Sequence, residues 1–133
     1  MSRAEAVPAR HHFLLVEDDP AIRSLLITIL GKRKNTTVDC AIDGEQAIAL
    51  LRAKPYSAVL LDLMLPNVNG FEVLRAMRSI APEMLMRTIV ITAASESTLR
   101  DFDHTTVFAL LRKPFEPTDL LGQVEAAVGT RDH

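Results

Sequence analysis

VLLDLMLPNVNG, residues 59–70, carries an apolar run into a single acid, Asp62, and then into a turn built from Pro66, Asn67, Asn69 and Gly70. A short continuous apolar run without alternation is the form of a strand buried on both faces, as in a parallel sheet. An acid where such a strand ends is fixed by the strand and kept reachable by the polar turn. The form recurs along the chain. FLLV (13–16) ends in Glu17, Asp18 and Asp19, RTIVIT (87–92) ends in Thr92, and VFALL (107–111) leads to Lys113. TTVDCA (36–41) favours a further strand through its β-branched residues.

Between the strands, apolar residues recur at helical intervals. Asp19 is a candidate N-cap and Pro20 a natural first helical position, followed by Ile22, Leu25, Leu26, Ile29 and Leu30. Asp43-Gly44 turns the chain into EQAIALLRAK (45–54), which Pro55 stops, and GFEVLRAMRSI (70–80) is broken by Pro82. A short helix over ESTLRDF (96–102) and a last one from Thr118 to about Val128 complete the pattern. Strand–helix alternation repeated five times predicts an α/β fold: a five-stranded parallel sheet with helices on both faces, joined by right-handed crossovers.

The 133 residues match one domain, expected over 12–128, with a flexible leader over 1–11 interrupted by Pro8 and a short tail over 129–133. A composition 48% hydrophobic and 24% charged supports a packed core. Fifteen basic against 17 acidic residues give a net charge of -2, which provides no positive field and argues against direct nucleic-acid binding by this chain. The single Cys40 excludes an internal disulfide and reads as a small core residue in a reducing compartment. Neither a signal-peptide run nor the ~18 continuous apolar residues of a membrane span is present, so a soluble, cytoplasmic protein with no membrane partner is expected. GKRK (31–34) reads as a solvated helix end. His11 and His12 read as leader residues and His104 as a loop residue, without the spacing of metal ligands.

In an open α/β sheet, ligands bind outside the carboxyl ends of the strands. Asp18, Asp19 and Asp62 all fall there, and they converge within a few ångströms if the first and third strands are neighbours. Two unit charges ~4 Å apart at an effective dielectric near 20 repel by about 4 kcal/mol, a strain that a cation relieves. Oxygen-only donors with open positions suit Mg²⁺. Thr92 adds a hydroxyl ahead of the small Ala93 and Ala94, and Lys113 adds an ammonium ahead of Pro114. This set suits aspartyl phosphorylation, with Asp62 as the natural acceptor. Asp19 also fits a plain cap, and Glu17 is open between a supporting acid and an exposed one.

FLLVEDDP (13–20), VLLDLMLPNVNGFEVL (59–74), IVITA (89–93) and LRKPFEP (111–117) resemble, in order and spacing, four signature stretches of the receiver domains of two-component response regulators. The resemblance covers residues 13 to 128. It implies a flavodoxin-like sheet of strand order 2-1-3-4-5 and phosphorylation of Asp62 by a sensor histidine kinase or histidine phosphotransfer protein. It further implies Mg²⁺ bound by Asp19, Asp62 and the backbone carbonyl of Met64, with Asp18 acting mainly through water. Thr92 and Lys113 would contact the phosphoryl oxygens, and the output would be a downstream target protein. Beyond self-phosphorylation from a phosphodonor and slow autodephosphorylation, no enzyme activity is expected.

The sequence departs from the family at two places. Leu110 stands where Tyr or Phe usually lies three residues before the lysine, and DFDHTT (101–106) replaces a Gly-containing turn, which predicts a short or irregular fourth helix. A Mg²⁺ phosphatase would need a second acid two residues after the nucleophile, where this chain has Met64. A flavin binder would need a phosphate-cradling loop, and EDDP (17–20) repels phosphate. A receiver-like interaction or dimerisation module working without phosphorylation, and a fragment of a response-regulator transcription factor continuing past His133, are the alternatives.

Overall fold

The computed structural model describes residues 10–129. The leader expected over 1–11 lies outside them except for Arg10 and His11, and the tail over 129–133 except for Gly129. Five strands, β1 (His11–Val16), β2 (Thr36–Ala41), β3 (Ala58–Leu61), β4 (Thr88–Thr92) and β5 (Ala109–Arg112), form one sheet of order β2-β1-β3-β4-β5. All four pairings are parallel. The helices are α1 (Pro20–Leu30), α2 (Gly44–Ala53), α3 (Gly70–Ile80), α4 (Glu96–Leu99) and α5 (Pro117–Gly129).

Successive strand residues point to opposite faces, and here both faces are covered. Leu14, Val16, Val59, Leu61 and Val90 pack with Ala47, Leu51, Val73 and Met77 of α2 and α3. Phe13, Leu15, Leu60, Ile89 and Ile91 pack with Leu26, Ile29 and Leu30 of α1 and Leu120, Val124, Ala127 and Val128 of α5. The uninterrupted apolar runs of the sequence are this two-sided burial.

Short polar side chains start the helices. Asp19 accepts from the amides of Ala21 and Ile22, Asp43 from Gln46, and Ser95 from Thr98. Asn69 and Glu72 form a reciprocal capping box at the start of α3. Asn67 takes a left-handed backbone (φ 62°), a conformation that asparagine tolerates better than most residues.

Several expectations differ from what is observed. His11 and His12 belong to β1 rather than to a leader, because His11 pairs with Thr36 and the His11 amide donates to the Asn35 carbonyl. β4 starts at Thr88 because Arg87 closes a 3₁₀ turn over Pro82–Arg87. Cys40 is exposed, not core. Its register partner Leu15 is buried, but β2 is an edge strand of the sheet. The fourth helix is short, as the sequence predicts, ending at Leu99. Phe102 turns back to meet the Phe71 ring edge-on, 5.9 Å between centroids.

At the end of the sheet remote from Asp62, Asp39 Oδ2 accepts from the Tyr56 hydroxyl at 2.7 Å and pairs with Lys54 Nζ at 3.0 Å and His12 Nε2 at 3.2 Å. The Tyr56 hydrogen bond, then Lys54, hold the Asp39 carboxyl down at about 2. Burial, then the carboxylate, push the Tyr56 hydroxyl above its usual range. A depressed carboxyl stabilises the fold fully above its unfolded value, near pH 4, and loses that contribution as pH falls through about 2. Solvent screening of this 27% exposed side chain brings the contribution to about 1 kcal/mol. Asp39→Asn is therefore expected to unfold at lower urea concentration than wild type near pH 7, with the gap closing by about pH 2. A gap independent of pH would overturn the assignment.

Gly122 sits inside α5, and a Cβ there would meet nothing within 4 Å. Gly122→Ala should raise stability by about 0.5–1 kcal/mol in urea unfolding, since alanine loses less backbone entropy on entering a helix. No helix among the described residues is long and apolar enough to cross a membrane.

Candidate functional site

Parallel register assembles the site. Val16 pairs with Leu61, so the first residue beyond each apolar run, Glu17 after β1 and Asp62 after β3, come abreast at the carboxyl edge of the sheet. The ladder extends one step to hold them, with the Glu17 amide donating to Ala41 O and the Asp62 amide to Val16 O, both at 3.0 Å. Gly70 lets α3 begin directly against this strand end. A Cβ there would overlap Leu63 Cα and lie 2.6 Å from the Asp62 carbonyl oxygen.

The carboxylate oxygens of Glu17, Asp18 and Asp62 lie within 4.8 Å of one another. Glu17 and Asp62 are buried and Asp18 is exposed, so the cluster opens to solvent on one side. Lys113, just beyond β5, points into it: Nζ is 2.9 Å from Glu17 Oε1 and 3.1 Å from Asp62 Oδ2. The Met64 amide donates to Asp62 Oδ1 at 3.1 Å. Thr92 is fully buried at the end of β4, and its hydroxyl oxygen accepts from the Ala94 amide at 3.0 Å. Its own proton remains available to donate.

Burial raises the Glu17 carboxyl above the ordinary glutamate value, the Lys113 hydrogen bond opposes this, and the Asp62 charge adds to the rise. Burial works against the Lys113 ammonium, but the Glu17 hydrogen bond and the charges of Asp62 and Glu17 outweigh it and raise its pKa. The ammonium thus holds together two buried acids that would otherwise repel.

Of the residues anticipated from the sequence, Asp18, Asp62 and Lys113 meet in the cluster, with the Met64 backbone beside it and Thr92 at the adjoining strand end. Asp19 does not join them. Its Oδ1 is engaged by the first amides of α1, and its own amide donates to Glu17 Oε2 at 3.2 Å. The acids that cluster with Asp62 are therefore offset by one residue from the expected Asp18 and Asp19, because the first acid after β1 turns inward and the third starts the helix. Glu17, left open from the sequence, is the residue this reading missed. Counting one step past each in-register apolar run would have found it.

A doubly wound parallel sheet with an acid cluster and a lysine at its carboxyl edge defines a flavodoxin-like fold with a polar, cation-competent cleft. Within that class, the chain belongs to the response regulator receiver domain family, whose family model matches residues 13–125. It is a receiver domain of the two-component type, a signalling module rather than a classical enzyme. It is 33% identical over 119 residues to the response regulator ArlR of Staphylococcus epidermidis, a match covering 88% of this chain and 52% of that protein. To the DNA-binding response regulator MtrA of Mycolicibacterium smegmatis it is 33% identical over 125 residues, covering 88% and 50%. The chain thus spans about half the length of the curated relatives it matches.

Among solved structures it resembles the receiver domain of a sensor histidine kinase from Pseudomonas aeruginosa, crystallised with a magnesium ion coordinated in its active site cleft. That match has a TM-score of 0.80 and 26% identity, covering 91% of this chain and 99% of that one. A CheY-like receiver domain protein from Methanospirillum hungatei has the same fold, with a TM-score of 0.83 at 24% identity over 93% of this chain and 98% of that one.

Proposed function

We propose that this chain is a phosphorylation-switched interaction module whose phosphoacceptor is Asp62. The observation carrying the reading is the convergence of Glu17, Asp18 and Asp62 around Lys113 at the carboxyl edge of the sheet. Three carboxylates offering hard oxygen donors, one of them solvent-facing, fit Mg²⁺. Glu17, Asp18 and Asp62, with the Met64 carbonyl, would hold it. When bound, Mg²⁺ offsets the charge of the acids and of an incoming phosphoryl group. Asp19 serves this site from outside, by fixing the loop as the α1 cap.

An Asp62 carboxylate oxygen attacks phosphorus, the bond from phosphorus to the donor breaks, and its electron pair leaves with the donor group. Lys113 Nζ, already 3.1 Å from Asp62, donates to a phosphoryl oxygen, and Thr92 donates its free hydroxyl proton to another. The physiological donor is a sensor histidine kinase or histidine phosphotransfer protein. Exposed Leu25 and half-buried Ile22 of α1, with Pro114 and Phe115, line an apolar hollow of about 440 Å³ bordering Lys113, a surface on which such a donor would seat.

Movement of Thr92 and Lys113 toward the phosphoryl group biases two pre-existing conformations, and a few kcal/mol of differential contact suffices to shift their populations. Leu110, half-buried against the α2/α3 core, has no ring or hydroxyl to follow Thr92, so the change is transmitted by packing. The surface switched within this chain meets a protein rather than nucleic acid, since a net charge of -2 draws no nucleic acid.

The test is incubation of the wild-type protein with acetyl phosphate and Mg²⁺, followed by intact mass measurement. A phosphoryl adduct that disappears on chelation supports the reading. If no adduct forms and beryllofluoride also fails to bind, a constitutive interaction module is the better account.

A further inference from the structure

We infer that Arg23 is a positioning residue for the acid cluster, acting through the backbone of the Glu17–Asp18 loop rather than by touching the reacting atoms. This rests on the reading of that cluster as a Mg²⁺ site. Arg23 lies one turn into α1, its amide donating to the Asp19 carbonyl. Its side chain reaches back over the loop, where Nη1 donates to Glu17 O at 3.1 Å and to Asp18 O at 3.3 Å. The two carbonyls it holds belong to two of the three clustered acids.

The rest of the loop is tied by groups that leave these carbonyls alone. The Glu17 amide is anchored on Ala41, the Asp19 amide on Glu17 Oε2, and the Asp19 carboxylate on α1. Among the described residues, Arg23 therefore supplies the one side-chain hydrogen bond that restrains the peptide plane between Glu17 and Asp18 from its carbonyl side. That plane sets the direction in which the exposed Asp18 side chain leaves the backbone. Both carbonyls are held by Nη1, whose two N–H groups point in directions fixed by the guanidinium plane, whereas a lysine ammonium is shorter in reach and rotates freely.

Charge alone predicts the opposite of positioning. A guanidinium near a cation site repels the cation, so its removal by electrostatics alone would tighten Mg²⁺ binding. Loss of orientation weakens it, and groups that orient metal ligands typically matter by about 10–100-fold in affinity. The sign of the change separates the two.

The experiment titrates ¹⁵N-labelled wild type, Arg23→Gln and Arg23→Lys with MgCl₂, following amide shifts, and measures urea unfolding of each in parallel. The expected result is a Kd for Mg²⁺ about tenfold weaker in Arg23→Gln. Arg23→Lys, keeping the charge but neither the full reach nor the fixed planar direction, falls between it and wild type. A Kd in Arg23→Gln that is unchanged or tighter overturns the inference, whatever the unfolding midpoint does. Should Arg23→Gln fail to fold, Arg23→Lys decides: weakened binding supports the role and wild-type binding overturns it. A wild-type protein that does not titrate with Mg²⁺ fails the cluster reading itself, a result distinct from wild type and Arg23→Gln titrating alike.

Discussion

Asp62→Asn forms no phosphoryl adduct with acetyl phosphate and Mg²⁺ under conditions that label the wild type. Asparagine keeps the shape of the side chain and an oxygen able to accept the Met64 amide, so the strand end is retained. What is lost is the anionic oxygen able to attack phosphorus. The neighbouring acids do not replace it: Glu17 is tied to Lys113 and to the Asp19 amide, and Asp18 is solvent-facing rather than fixed by a strand. Intact mass gives the presence of the adduct, and peptide mapping gives its position. An adduct that persists in the variant, mapped to Glu17 or Asp18, would remove Asp62 from its role while leaving the cluster reactive.

Lys113→Met should destabilise the metal-free protein by about 3 kcal/mol near pH 8, with most of that loss recovered in millimolar Mg²⁺. Glu17 and Asp62 side chains are 2% and 5% exposed, and Lys113, at 13%, is the only cation among the described residues pairing with either. Removing one partner of a buried ionic group costs more than the group contributed, because the remaining charges stay desolvated. Methionine keeps the length and apolar stem, so the loss is not one of packing volume. The sign of the pH dependence follows from Glu17, whose folded pKa is already raised by burial. A raised carboxyl destabilises the fold above its folded value and ceases to do so as protonation sets in, so the deficit of Lys113→Met shrinks on acidification. Urea unfolding at several pH values, with and without Mg²⁺, reads both effects. A deficit indifferent to pH and to Mg²⁺ would sink the electrostatic account of the cluster.

Much of this was open to reading in the sequence because burial on two faces leaves an unmistakable trace. FLLV and AVLL are apolar throughout and TIVIT is apolar between its two threonines, runs that suit strands covered on both faces. Helix starts were equally plain, since Asp19, Asp43 and Asn69 each act on amides within three residues of themselves. What stayed hidden depends on neighbours distant in sequence. Three consecutive acids after β1 look alike in one dimension; only the register of Val16 against Leu61 decides that the first turns to Lys113 and the third to α1. Cys40 misled for the same reason, since its apolar surroundings in sequence say nothing of its place on the outermost strand. The resemblance to receiver domains supplied the strand order and the proposed roles of Thr92 and Lys113, neither of which periodicity can give.

That outermost position gives the chain an optical handle that requires no engineering. Cys40 is its only thiol, so a maleimide dye attaches at a single known place. The residue next to it, Ala41, accepts the amide of Glu17, and Arg23 is close enough for its charge to act on the thiol. Burial still holds the thiol above its usual pKa, so labelling calls for mildly alkaline buffer and long reaction times. A fluorophore there would sit on the strand that anchors the acid loop, one residue from the anchoring Ala41, and could follow occupation of the cleft in real time in an otherwise native, tryptophan-free protein.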